Sequence, residues 1–186
     1  MATSGSKSIT PARLLTLKFS WNRTSVSDVN NTSTVSWKLQ LITDTHASIS
    51  SSASKKWSVT VNGTKYSGTN TLGIGAGSTK TLASGSTVIA HNGDGTKTFS
   101  FSFSQEFGIN FNGANIGTQS ASGTGTLDTI LRKATITAAP NFNDEDNPTI
   151  NYTNPLGNKA TKVEVCISLT GSAADIPYRE VSKTGT

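Results

Sequence analysis

The chain has 186 residues, of which 33% are hydrophobic and 15% charged, with 17 glycines and a formal net charge of +5. Its single cysteine, Cys166, excludes an intramolecular disulfide framework and a multi-cysteine zinc site. No apolar run approaches the roughly 20 residues that cross a bilayer as a helix, so membrane insertion is not expected.

Ser and Thr, abundant throughout, suit pleated strands and turns better than helices. The N-terminal MATSGSKSIT is polar and lacks the apolar core of a secretory signal. Leu15, Leu17, Phe19 and Trp21 then alternate with Thr16, Lys18 and Ser20, the period of a half-buried strand. The pattern returns as Val35, Trp37, Leu39 and Leu41, and again as Trp57, Val59 and Val61. The third set closes on Asn62-Gly63, a strong hairpin signal because both residues tolerate positive φ. Tyr66 falls on the returning strand. Gly73, Gly75 and Gly77 mark a connection, and Thr81 to Ala90 form the next strand candidate.

His91-Asn92-Gly93-Asp94-Gly95 reads as a tight turn. A calcium loop needs several carboxylates at alternating positions, and Asp94 stands alone. Phe99, Phe101 and Phe103 follow on one face, with Ser100, Ser102 and Ser104 on the other. Glu106 to Ser122 is Gly- and Asn-rich and reads as a loop region. Extended character resumes at Gly123-Thr124-Gly125-Thr126-Leu127. At least seven strands without a convincing helix predict an all-β fold, a jelly-roll-like β-sandwich over residues 1–130.

Charge divides the chain at about the same place. Residues 1–130 hold ten Lys/Arg against five Asp/Glu, while residues 131–186 hold six of each. A basic surface attracts polyanions. Within residues 1–130, however, only Lys55 and Lys56 are adjacent, and no nucleic-acid motif accompanies them. No nucleic-acid partner is expected. Beyond Arg132, Thr135–Thr137 and the alternating Val163, Val165, Ile167 and Leu169 read as strands of a second unit. Its roughly four strands fall short of the seven of an immunoglobulin-like sandwich. Residues 131–186 are therefore expected to be the start of an Ig-like domain that the chain leaves incomplete, with the break at residues 128–134.

The stretches NNTSTVSWKLQL, VTVNGTKYSG, TVIAHNGDGTKTFSFSFS and GTGTLDTI resemble a family of siphophage tail-associated structural proteins from phages of Gram-positive bacteria, streptococcal phages among them. APNFNDEDNPTINYTNPLGNKATKVEVCISLTG and DIPYREVSKTGT are similar to a segment that opens an Ig-like domain in phage tail and baseplate proteins. The resemblance covers nearly the whole chain and is carried by strand and turn signatures, with no catalytic residue to transfer. It implies a virion tail protein, assembled in the host cytoplasm, whose partners are other tail subunits and itself as a homo-oligomer. It also implies contact with the host envelope, where a cell-wall polysaccharide is the expected ligand.

Trp21, Trp37 and Trp57 are in phase with apolar neighbours, so core packing is expected rather than a sugar platform. Binding is expected at the Gly73–Gly77 and Phe107–Gly117 loops, because loops on a rigid sandwich are where recognition is built. Tyr66, Phe107, Asn110, Phe111 and Asn112 are the candidate ligand-binding residues, combining aromatic faces with amide donors and acceptors. Asp144, Glu145 and Asp146 could hold Ca²⁺, although a solvated loop explains them as well; no metal or other cofactor is expected. Neither His46 nor His91 is accompanied by a nucleophile motif, and no carboxylate pair is placed as glycoside hydrolysis requires. A binding protein is expected rather than an enzyme. The alternative is a purely architectural tail component that binds other virion subunits and no glycan.

Overall fold

The alternating segments fold as eight antiparallel strands in a computed structural model that describes residues 3–131, 135–138, 151–154, 164–167 and 176–180. In chain order these are β1 Ser4–Ala12, β2 Leu15–Ser27, β3 Thr32–Thr43, β4 Ser54–Val61, β5 Thr64–Thr71, β6 Thr79–Ala90, β7 Lys97–Phe111 and β8 Ala114–Leu127. They form two four-stranded sheets of order β1-β2-β3-β6 and β5-β4-β7-β8. The chain changes sheet after β3, β5 and β6, so β3 pairs with β6 and β4 with β7 across long connections. No helix occurs among the described residues. The all-β sandwich is as expected.

Alternation decides which face each residue takes. Leu15, Leu17, Phe19 and Trp21 of β2, Val35, Trp37, Leu39 and Leu41 of β3, Val59 and Val61 of β4, and Phe99, Phe101 and Phe103 of β7 all lie in one buried core. Trp57 is half-buried and packs against that core. Phe19 stacks across the two sheets on Phe101 at 4.7 Å and Phe103 at 5.7 Å between centroids, while Trp21 meets Phe99 edge-on at 5.0 Å. Offset and edge-on pairs at these spacings stabilise by about 0.5–1.5 kcal/mol beyond their buried area.

The large rings fit because small residues stand opposite them. Trp21 pairs with Gly5, Trp37 with Gly85, Trp57 with Gly68, Phe99 with Gly125, Phe101 with Gly123, and Phe103 with Ala121. A methyl group built on Gly85 would lie 2.6 Å from Trp37 Cζ2, and one on Gly123 2.6 Å from Phe101 Cζ. Each ring therefore lies flat over the backbone of its neighbour, and the glycine is the space it occupies.

Two regions differ from the sequence expectation. β1 was not anticipated, because SGSKSITPA carries little apolar periodicity. It is an edge strand held by its ladder to β2, and it covers the Trp21 indole with Gly5. Residues 106–122 are not a loop. β7 continues to Phe111 and returns as β8 through Asn112-Gly113, whose φ values of 47° and 80° match those of Asn62 and Gly63 at the β4–β5 turn, 49° and 82°. Both pairs have the paired positive φ of a type I′ hairpin. The register of the long hairpin shifts between Glu106 and Ile109, where Gly108 takes φ 54°, as at a β-bulge.

The Gln105 and Asn70 amides of this core are paired, whereas the Trp37 indole N–H is buried without a hydrogen-bond partner among the described residues. Gln105 is fully buried and exchanges two amide hydrogen bonds with Asn70, at 2.9 and 3.1 Å. Asn70 also donates to the Leu82 carbonyl of the other sheet at 3.3 Å, and Gln105 donates to the Glu106 carbonyl at 2.9 Å. Arg23 binds the Asp128 carboxylate at 3.0 Å and thereby ties β2 to the chain just past β8.

The chain divides into two compact units, residues 1–90 with 97–128 and residues 91–96 with 129–186. In the second, β9 Thr135–Ala138 pairs with β10 Asn151–Thr153, and β11 Glu164–Ile167 pairs with β12 Ile176–Glu180, all antiparallel. The expected Ig-like sandwich and the Asp144, Glu145 and Asp146 cluster lie largely or wholly outside the described residues.

Candidate functional site

The outward residues of β5, β4, β7 and β8 align into rows, because the ladders place like with like. One row runs Ser67, Ser58, Ser104, Ser120. The next is Lys65, Thr60, Ser102, Ser122. On the other side lie Thr69 and Lys56, then Glu106 and Thr118. Neighbouring strands are about 4.8 Å apart and alternate residues along a strand about 6.6 Å apart. The face is thus a grid of hydroxyls with two cations and one carboxylate. A shallow groove of about 490 Å³ lies on it, lined by Lys56, Ser58, Lys65, Ser67, Thr69, Ser104, Glu106 and Thr118 together with Trp57 and Gly68.

The bulge shapes one end of this groove. Past Trp57–Gln105 the β4–β7 ladder ends, and backbone groups left without ladder partners require other ones. Glu106 Oε2 accepts from the Lys56 amide at 3.2 Å, and Lys55 Nζ donates to the Gly108 carbonyl at 3.1 Å. Lys56 and Lys65 form no ion pair among the described residues.

The expected binding residues are not brought together on a surface. Phe107 is 0% exposed and Phe111 8%, both in the core, so neither offers a ring face to solvent. The reason is phase: they continue the inward series of Phe99, Phe101 and Phe103 along the same strand. Tyr66 is half-buried; its ring lies 5.1 Å from Trp37, and its hydroxyl donates to the Ser86 carbonyl at 2.9 Å and bonds Thr87 Oγ1 at 2.7 Å. It links β5 to β6 across the open edge of the sandwich. Asn110 and Asn112 are exposed at the β7–β8 hairpin tip. The sequence signals the outward grid only through the Ser100, Ser102 and Ser104 alternation, because its alignment into rows depends on register.

The remaining polar clusters have local structural roles. Within the second unit, Asp94 Oδ1 accepts from the Thr96 amide at 3.0 Å and from its hydroxyl at 2.6 Å, and His91 Nδ1 lies 2.7 Å from the Gly95 carbonyl. The HNGDG segment is a turn, as read from its residues. Asp44 caps the turn after β3: its carboxyl is held below the ordinary carboxylate range, chiefly by the His46 backbone N–H at 3.0 Å and then by the His46 ring, with burial opposing. Among the described residues no three His, Cys, Asp or Glu side chains converge as a metal site would require. No described helix is long and apolar enough to cross a membrane.

The first unit is thus an all-β sandwich with a polar outer grid and an aromatic core. Residues 9–167 match the family described as "Siphovirus protein of unknown function (DUF859)", and the chain belongs to it. It is a siphovirus protein. Neither the curated proteins nor the solved structures contain a significant match.

Proposed function

We propose that this protein is a structural component of the siphovirus virion, located in the tail or baseplate, and that its first unit contributes to attachment at the host surface. Membership of the siphovirus family over residues 9–167 carries the reading. The host is a Gram-positive bacterium of the streptococcal type, the ligand a cell-wall saccharide, and the second unit an Ig-like module that joins other tail subunits. The strand-built first unit supports this role, since two sheets around one core give a rigid platform. Asn110 and Asn112 at the hairpin tip keep the amide chemistry expected of the binding loop.

Burial of Phe107 and Phe111 and the cross-sheet tie of Tyr66 favour a second reading, in which the protein is purely architectural. Adsorption of the purified chain to host cell walls decides between them. Saturable adsorption supports attachment, whereas no adsorption, with immunogold labelling of the tail, leaves architecture. A boundary at residues 128–134 is part of the same proposal: limited proteolysis is expected to leave a stable fragment of residues 1 to about 130.

A further inference from the structure

We infer that the groove on the outer face of the β5-β4-β7-β8 sheet takes a phosphodiester-linked polyol or sugar polymer, with Lys56 and Lys65 each facing a phosphate and the serines between them meeting polyol hydroxyls. The inference rests on the attachment reading and names the class of polymer.

A neutral glycan fits poorly. Sugar recognition by sheets draws on aromatic rings that stack against C–H faces, and every aromatic ring of the first unit is buried or half-buried. A hydroxyl grid alone exchanges water for sugar hydroxyls with small net gain. Charge supplies what the grid lacks. The first unit holds ten Lys/Arg against four Asp/Glu, and two of those cations line the groove from adjacent strands. Lys65 lies opposite Thr60 on the neighbouring strand, four positions along from Lys56. At about 3.3 Å per residue and 4.8 Å between strands, the two Cα atoms are roughly 14 Å apart. Flexible lysine stems then reach phosphates spaced along a polymer rather than two oxygens of one phosphate. Ser58 and Ser67 face each other between them and can donate to phosphate or accept from polyol. Glu106, the carboxylate of the groove, is held at one side by the Lys56 amide and directs an anionic chain over the Lys56–Lys65 diagonal instead.

Nucleic acid is also a phosphodiester polymer, but single strands are bound through aromatic stacking and duplexes through many cations. Two lysines on a face whose one aromatic residue, Trp57, packs its ring against Trp37 and the core match a sparser polymer.

The test uses the full chain and three probes: poly(glycerol phosphate), dextran as a phosphate-free polymer, and single-stranded DNA. Expected are binding to poly(glycerol phosphate) that weakens with salt, little binding to dextran, and at least a tenfold loss in the double variant Lys56→Gln/Lys65→Gln. The salt slope of that variant should fall by about one to two. The conservative Lys56→Arg/Lys65→Arg should retain binding, and both variants should unfold at the wild-type denaturant midpoint, since the positions are exposed. Tighter binding to DNA than to poly(glycerol phosphate), or equal binding by the glutamine variant, overturns the inference. Wall adsorption that survives removal of phosphate polymers from the wall also overturns it while leaving attachment standing; no wall adsorption at all removes the attachment reading itself.

Discussion

The two faces of β7 obey different physics. Phe99, Phe101 and Phe103 face inward and are 2–5% exposed, while Ser100 and Ser102 face water on the same strand. Inward positions are specified by shape, since each ring lies against a glycine or alanine of β8 and against residues of the other sheet. Outward positions are specified only by polarity and reach. Stability is concentrated on one face of the strand, and the other face is left available for recognition.

The largest effect should therefore come from the inner face. Phe101→Ala is expected to cost about 3–5 kcal/mol, read as a lower denaturation midpoint. Gly123→Val should cost about 1–3 kcal/mol by overpacking the same ring. Combined, the two changes should cost less than their sum by at least about 0.5 kcal/mol, because the valine occupies part of the emptied space. Strict additivity would mean that the ring and the glycine are not a unit. Next is Gln105→Leu, which leaves the Asn70 amide without its buried partner and should cost about 1–3 kcal/mol in the same assay. On the outer face, Ser102→Ala should change stability by no more than about 0.5 kcal/mol; a loss as large as that of Gln105→Leu would erase the contrast between the faces.

The smallest effect is electrostatic. Asp44 has a folded pKa below its ordinary value of 3.8. Its contribution to stability is thus present above that value and is lost as the pH falls through the folded pKa. Since the backbone N–H of His46 is the main cause, His46→Ala should leave the Asp44 titration lowered, as followed by carboxyl NMR shifts. A return to the ordinary range would assign the effect to the imidazole.

The strands of the core were legible because period-two alternation is a direct readout of one-sided burial. Leu15–Trp21, Val35–Leu41, Trp57–Val61 and Phe99–Phe103 each show it without interruption. β1 was not legible, since in SGSKSITPA only Ile9 and Ala12 pack against the core, and the rest of this edge strand owes its place to the ladder with β2. The far half of the β7–β8 hairpin was hidden by Gly and Asn, which signal turns locally but here serve a bulge and a two-residue tip. The same misreading placed Phe107 and Phe111 on a loop. The Lys56–Lys65 groove depends on which residues of β4 and β5 stand opposite one another, and register is a relation between segments that no single stretch contains.

The pairing of ring with glycine has a consequence for how such a protein can diverge. Volume is fixed per rung of the ladder, not per residue, so neither member of a pair such as Trp37 and Gly85 can drift alone. A lineage that shrinks the indole gains freedom to grow a side chain on β6, and one that loses the glycine must first give up the indole. Substitutions should therefore arrive in reciprocal couples, 48 positions apart in the chain for Trp37 and Gly85 and 22 for Phe101 and Gly123, while the outward serines of β7 are free to turn over one at a time.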